Sequence, residues 1–174
     1  MSNTPDTLDL SRDRDLGPRR HDIWVRRGFF ALVCLVPVLA LANLFGQQPQ
    51  TSSAAVGAAR LSVSAPERVR GGLLYQARFH IAAKRTLDQA VLVLDRGWLD
   101  GLTINTIEPS PGSQASDNGK LALNLGRIPS GQSYLLAVDF QVNPTTVGRQ
   151  DQTVTLYDGN RALITIHRTL TVFP

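Results

Sequence analysis

The chain has 174 residues, a net charge of +4, 6% aromatic residues and a single cysteine. One thiol excludes an intrachain disulfide and a cysteine-built metal site, and the lone methionine, Met1, removes the soft ligands that copper handling requires. The positive balance invites a nucleic-acid partner, but from residue 59 onward the arginines are spread singly along the chain and not clustered, which argues against nucleic acid and leaves a weak attraction to an anionic envelope surface.

In chain order, residues 1–27 alternate acid and base (Arg12-Asp13-Arg14-Asp15) and carry little apolar content. They are predicted to form a disordered cytoplasmic tail, with His21 solvated beside arginines. From Gly28 to Gly46 the chain reads GFFALVCLVPVLALANLFG without a charge. At about 1.5 Å per residue this run matches a hydrocarbon core of roughly 30 Å, and a helix satisfies its own backbone there. A single transmembrane helix is predicted, with Pro37 in its middle and Asn43 near its outer end. Arg19, Arg20, Arg26 and Arg27 flank its N-terminal side, Trp24 takes an interfacial position, and no charge follows until Arg60. This asymmetry predicts a single-pass bacterial-type protein of the cell membrane, N-terminus cytoplasmic and C-terminal domain extracytoplasmic. Leu39-Ala40-Leu41-Ala42 offers a small-x-small cleavage pattern, yet the long N-terminal region and long apolar run favour an uncleaved signal anchor. Cys34, deep in the apolar run, is expected to face lipid or a partner helix rather than to carry a lipid chain.

Residues 47–58, rich in Gln, Ser, Ala and Gly, are predicted to be a flexible linker with a root-mean-square reach near 20 Å. The remainder, 59–174, is one domain's worth of chain and alternates with period two. Leu73, Tyr75, Ala77, Phe79 and Ile81 oppose Gln76, Arg78 and His80. Tyr134, Leu136, Val138, Phe140 and Val142 oppose Asp139 and Gln141, and Ile164, Ile166, Leu170 and Val172 alternate with Thr165, His167, Thr169 and Thr171. Shorter strands are expected at 61–65, 90–94, 102–107, 121–125 and 153–157, separated by the turn signals Asn118-Gly119, Pro129-Ser130-Gly131 and Asp158-Gly159-Asn160. The expected fold class is all-β: an antiparallel immunoglobulin-like β-sandwich of about seven or eight strands, with a closed barrel as the alternative.

The run from Tyr75 to Gly148 resembles the immunoglobulin-like repeat domain (a domain-of-unknown-function type related to adhesion modules) of bacterial and archaeal surface proteins. Four features carry the resemblance: the YQARFHI strand followed by an apolar strand ending in Asp95, the Gly101-Leu102-Thr103 step, Leu125-Gly126-Arg127-Ile128-Pro129-Ser130-Gly131, and the long strand Tyr134–Val142. Gly97-Trp98-Leu99-Asp100 departs from the family's proline-containing step, and there is one copy where relatives often carry several. The resemblance implies a fold and a surface location, and no reaction.

Catalytic signatures are absent. There is no Gly-x-Ser-x-Gly elbow, Ser-x-x-Lys pair or phosphate-cradling glycine loop, and the carboxylates show no spacing that pairs them. The chain is therefore expected not to be an enzyme and to need no cofactor or metal. His80 and His167 could share a metal with Asp139 or Asp158 if their strands were neighbours, but no short His-x-His spacing supports it. The segment singled out for binding is Arg96-Gly97-Trp98-Leu99-Asp100-Gly101. Arg96, Trp98, Leu99 and Asp100 place interaction-prone side chains on an inter-strand loop, with the alternative that Trp98 or Leu99 folds back to plug the core. The loop from Glu108 to Asn118 is expected to be a floppy polar connection. The leading functional expectation is a protein-binding or accessory module of a cell-envelope complex, in contact with the lipid bilayer and with a membrane or envelope protein. A cell-wall or polysaccharide-binding domain with a glycan partner is the alternative, and an enzyme of unrecognised type comes third.

Overall fold

The computed structural model describes residues 20–41 and 47–174, with side chains from 23 to 39 in the first stretch. The expected cytoplasmic tail falls largely outside it, since residues 1–19 (Arg19 included) are not described, nor is Asn43 in the segment 42–46. From Arg20 onward the expected disorder is replaced by helix: α1 runs Arg20–Leu41 and contains Pro37. Arginine is a good helix former, and Arg27 lies over the ring of Trp24 one turn earlier, 5.9 Å from its centroid. The helix therefore starts ahead of the uncharged run. Among the described residues no helix is long and apolar enough to cross a membrane. The uncharged run continues to Gly46, beyond the last of these side chains. Within α1, Phe29, Phe30, Leu32, Leu35, Val36 and Val38 are all 48–63% exposed, and Cys34 is exposed beside them.

The chain divides into two compact units between Gly46 and Gln47. The second holds thirteen strands: β1 Pro49–Ala55, β2 Ala59–Pro66, β3 Arg68–Arg70, β4 Leu74–Ala83, β5 Leu87–Leu94, β6 Leu102–Glu108, β7 Ser113–Asp117, β8 Lys120–Ile128, β9 Ser133–Val142, β10 Gly148–Asp151, β11 Val154–Asp158, β12 Arg161–Ile166 and β13 Thr169–Phe173. One five-stranded sheet has the order β1-β2-β4-β9-β6, the other β12-β11-β5-β8-β7, and a three-stranded sheet β10-β13-β3 completes the set. The two large sheets are antiparallel throughout and share one core, an immunoglobulin-like sandwich.

Alternation explains the central strands. In β4, Tyr75, Ala77, Phe79 and Ile81 are buried while Gln76, Arg78 and His80 face out, and β9 buries Leu136, Val138, Phe140 and Val142. Opposite them lie Leu92 and Leu94 of β5, Leu123 of β8 and Leu156 of β11, all fully buried. Each such side chain contributes about 1.5–3 kcal/mol of transfer free energy. Asn118-Gly119 and Asp158-Gly159-Asn160 close hairpins, whereas Pro129-Ser130-Gly131 carries the chain from β8 in one large sheet to β9 in the other. Asp117 pairs with Lys120 around Asn118 (φ 50°) and Gly119 (φ 76°), both in the left-handed region that a type I′ turn requires.

Three expectations are corrected. The stretch 47–58 is not a flexible linker, because residues 49–55 pair along their whole length with β2. The loop 108–118 is not floppy throughout, because β7 adds to β8. The run from Ile164 to Val172 is not one strand: it breaks at His167-Arg168, leaving β12 in a large sheet and β13 in the small one. The strands beyond the expected seven or eight include β1, β3, β7 and β10. These are short edge strands bonded on one side, so their side chains need not alternate.

Candidate binding groove

The small sheet floors a groove. β13 is its middle strand, antiparallel to β10 and parallel to β3. Register sets Arg149 of β10, Thr171 of β13 and Arg68 of β3 in one row, and Asp151 beside Thr169 in the next. Directly opposed residues share a face, so both rows look out the same way. The backbones carrying Arg68 and Arg149 are two strand spacings apart, about 9–10 Å. Above them lies a cleft of about 620 Å³, walled also by Ser52 of β1, Glu67, Thr153 and His167. Neither Arg68 nor Arg149 joins an ion pair among the described residues, and both are exposed. The lining therefore offers two free guanidinium groups, hydroxyls from Thr169 and Thr171, two carboxylates and the His167 imidazole, with no Trp, Tyr or Phe ring.

Beneath the groove, a buried polar network holds the strand switch in place. The backbones of Gln152 and Arg168 bond each other in both directions, at 2.8 and 3.2 Å. Arg168, only 6% exposed, donates through Nη1 to the carbonyls of Gln50 (2.8 Å) and Val63 (2.9 Å) and to Ser52 Oγ, and through Nη2 to Ala65 O at 2.6 Å. Its Nε has no partner. Burial lowers its pKa, while Glu67 and Tyr75 act in the opposite sense. The side chain thus clamps the β1–β2 hairpin to the β12–β13 switch, and it is structural. Gln152, also buried, donates from Nε2 to the Tyr75 hydroxyl at 3.1 Å. Burial pushes that phenol well above its ordinary range, and its ring stacks on Phe140 at 5.3 Å.

The loop singled out from sequence resolves differently. Arg96–Trp98 is a 3-10 turn, and Trp98 is fully buried. Its ring centroid lies 5.4 Å from that of Phe79 and 5.5 Å from that of Phe140, and its Nε1 donates to Thr153 O at 3.1 Å. Leu99 packs against the same core. Arg96 and Asp100 stay exposed and bond one another, Nε to Oδ2 at 2.9 Å. The alternative holds: Trp98 plugs the core and is closed to a partner. Two glycines make this possible. A Cβ on Gly97 would lie 2.1 Å from Asp151 O, and Gly101 takes φ +65° against Thr146.

His80 and His167 do not meet. His80 faces out from β4 between Ser62 and Leu135, whereas His167 follows β12 and bonds Thr153 Oγ1 through Nδ1 at 3.1 Å. Among the described residues no group of three His, Cys, Asp or Glu side chains converges. Asp139 instead belongs to an outer-face ladder, accepting from Thr106 Oγ1 at 2.5 Å and Gln76 Nε2 at 2.9 Å. The Thr106 bond and then the Gln76 bond lower its pKa.

The groove arginines escaped sequence reading. They lie 81 positions apart in the chain (149 − 68), and only strand register makes them neighbours. Arg168 did leave a signal, because it occupies an inward position in the 164–172 alternation, where a charge has to be buried.

No family model and no curated protein matches the chain. Solved structures similar to it include a non-cellulosomal cohesin from Archaeoglobus fulgidus, at 14% identity over 73% of this chain and 92% of that one, with a TM-score of 0.42. The chitin-binding domain of a chitinase from Pyrococcus furiosus aligns at 13% identity over 66% of this chain and 100% of its own, TM-score 0.40. The CaCohA2 domain from Clostridium acetobutylicum aligns at 18% identity over 64% and 88%, TM-score 0.41. At such values function has to be read from this chain's own residues.

Proposed function

We propose that this chain is a single-pass membrane-anchored binding module of the cell envelope. In this reading the run Gly28–Gly46 sits in the bilayer, the N-terminus is cytoplasmic and the sandwich lies outside. The groove over β3, β13 and β10 then takes a polar segment of a protein in or on the same membrane. The uncharged run, the arginines on its N-terminal side and the exposed apolar side chains around α1 support the anchor. Arg68 and Arg149, unpaired and flanking Thr171 with Glu67 and Asp151 alongside, carry the binding reading. Free guanidinium groups in a concave, rigid strand setting match carboxylate-bearing partners, and lining charges of both signs give register along a polypeptide. Glycan recognition relies on stacking against Trp, Tyr or Phe rings, and the lining has none of these.

Photo-crosslinking from position 171 in cells tests this. A recurrent membrane-protein adduct, lost in Arg68→Glu/Arg149→Glu with the thermal melt unchanged, is the expected result. Adducts of wall fragments alone, or a protein adduct indifferent to both reversals, would refute it.

A further inference from the structure

The exposed apolar side chains of the sandwich include a group gathered at one end. Leu73 and Leu74 are 44% and 59% exposed, Val147 61% and Phe173 47%. Backbone bonds bring them together: Gly71 N to Phe173 O at 2.8 Å, Gly72 N to Val142 O at 3.0 Å and Val142 N to Leu73 O at 3.0 Å. Val147 precedes Gly148, which pairs with Val172. A hollow of about 350 Å³ at the same end joins Leu74 to Pro49, Pro66 and Gln47. Gln47 is where the chain enters the sandwich from α1. Five residues, 42–46, separate it from Leu41, the last residue of α1.

Charge at this end is mainly positive. Arg70 is exposed, with Nε on Pro174 O at 3.3 Å, and Arg78 lines the hollow with Nε on Gln76 Oε1 at 2.6 Å. Arg68 lies on the same short strand as Arg70; the acids beside these arginines are Glu67 and, next to Arg78, Asp139, which accepts from Gln76 Nε2 at 2.9 Å. Apolar side chains ringed by arginines match a bilayer interface, where rings and aliphatic chains enter the acyl boundary and guanidinium groups meet phosphates.

We infer that this end of the sandwich seats on an anionic lipid surface, with Leu73, Leu74, Val147 and Phe173 dipping into it and Arg70 and Arg78 on the headgroups. The inference rests on the membrane reading above. A seated domain has a fixed orientation, with the groove held beside the lipid and within reach of a partner's juxtamembrane segment. Far from that end, Gln132 bonds back to the close of β4 through Ala83 N, about 30 Å along the strand from Leu74.

The test uses the full chain in a Cys34→Ser background, reconstituted in phosphatidylcholine vesicles with and without phosphatidylglycerol. An environment-sensitive fluorophore is placed at Leu74→Cys or, separately, at Gln132→Cys. The expected result is a blue shift and quenching by headgroup-proximal lipid quenchers at position 74 but not at 132, stronger with phosphatidylglycerol. Arg70→Ala should weaken the seated population about fivefold, as expected for one interfacial arginine. Equal, weak quenching at both positions in chains that float with the vesicles after alkaline washing overturns the seating and leaves the anchor standing. Loss of the chain from the vesicles on washing overturns the anchor and the seating with it.

Discussion

Replacing Trp98 with alanine separates a core plug from a binding loop. The indole is fully buried, touches Phe79 and Phe140, and bonds Thr153 O. Truncating a buried aromatic to alanine costs about 3–5 kcal/mol, and loss of two ring contacts places this site toward the upper end. The lost hydrogen bond adds little, because Thr153 O still accepts from Asp95 N at 3.0 Å. For a 128-residue unit (47–174), total stability of roughly 6–19 kcal/mol follows from the usual per-residue range, so the change removes about a fifth of it or more. Urea denaturation followed by far-ultraviolet circular dichroism should show the midpoint falling by about 2 M, given a slope near 2 kcal/mol/M. Trp98→Phe should recover more than half of the loss. A Trp98→Ala loss below about 1 kcal/mol, with partner crosslinking abolished, would refute the packing argument and restore the loop as a contact site.

Gly97→Ala forces a methyl against Asp151 O and should cost about 1–3 kcal/mol in the same assay; a neutral result would mean the 3-10 turn shifts freely. Arg168→Met removes the donors to Gln50, Val63 and Ala65, and amide exchange of 49–55 should accelerate at least about tenfold while β5 and β8 stay protected; uniform acceleration would show that the clamp is not local. Asp139 has its pKa held down by Thr106 and Gln76, so the stability it contributes is present above the ordinary carboxylate value of about 3.9 and is lost as pH falls through the lower folded value. Asp139→Asn should flatten that acid limb of a stability-versus-pH profile, and an unchanged limb would assign it to other carboxylates.

Where period-two alternation was strong, sequence was sufficient. Tyr75–Ile81, Leu136–Val142 and the 90–94 and 121–125 runs are central strands, because a strand between two neighbours over a core has to present one apolar face. Asn118-Gly119 and Asp158-Gly159 were legible for a local reason, since left-handed backbone suits few residues. Of the edge strands, β6 and β12 were legible from their apolar residues, and β1 and β7 were not. Pro49–Ala55 and Ser113–Asp117 read as linker and loop because their pairing energy lies in backbone bonds that any sequence can make, once a neighbour offers its edge. The fate of Trp98 was open for the same kind of reason. An aromatic between glycines fits either a surface contact or a plug, and only the approach of Asp151 and Thr153 from a distant segment decided it. The groove is the extreme case. Arg68, Thr171 and Arg149 come from three separate parts of the chain, and what places them in one row is the register of β3, β13 and β10, a property of the folded sheet that no local segment encodes.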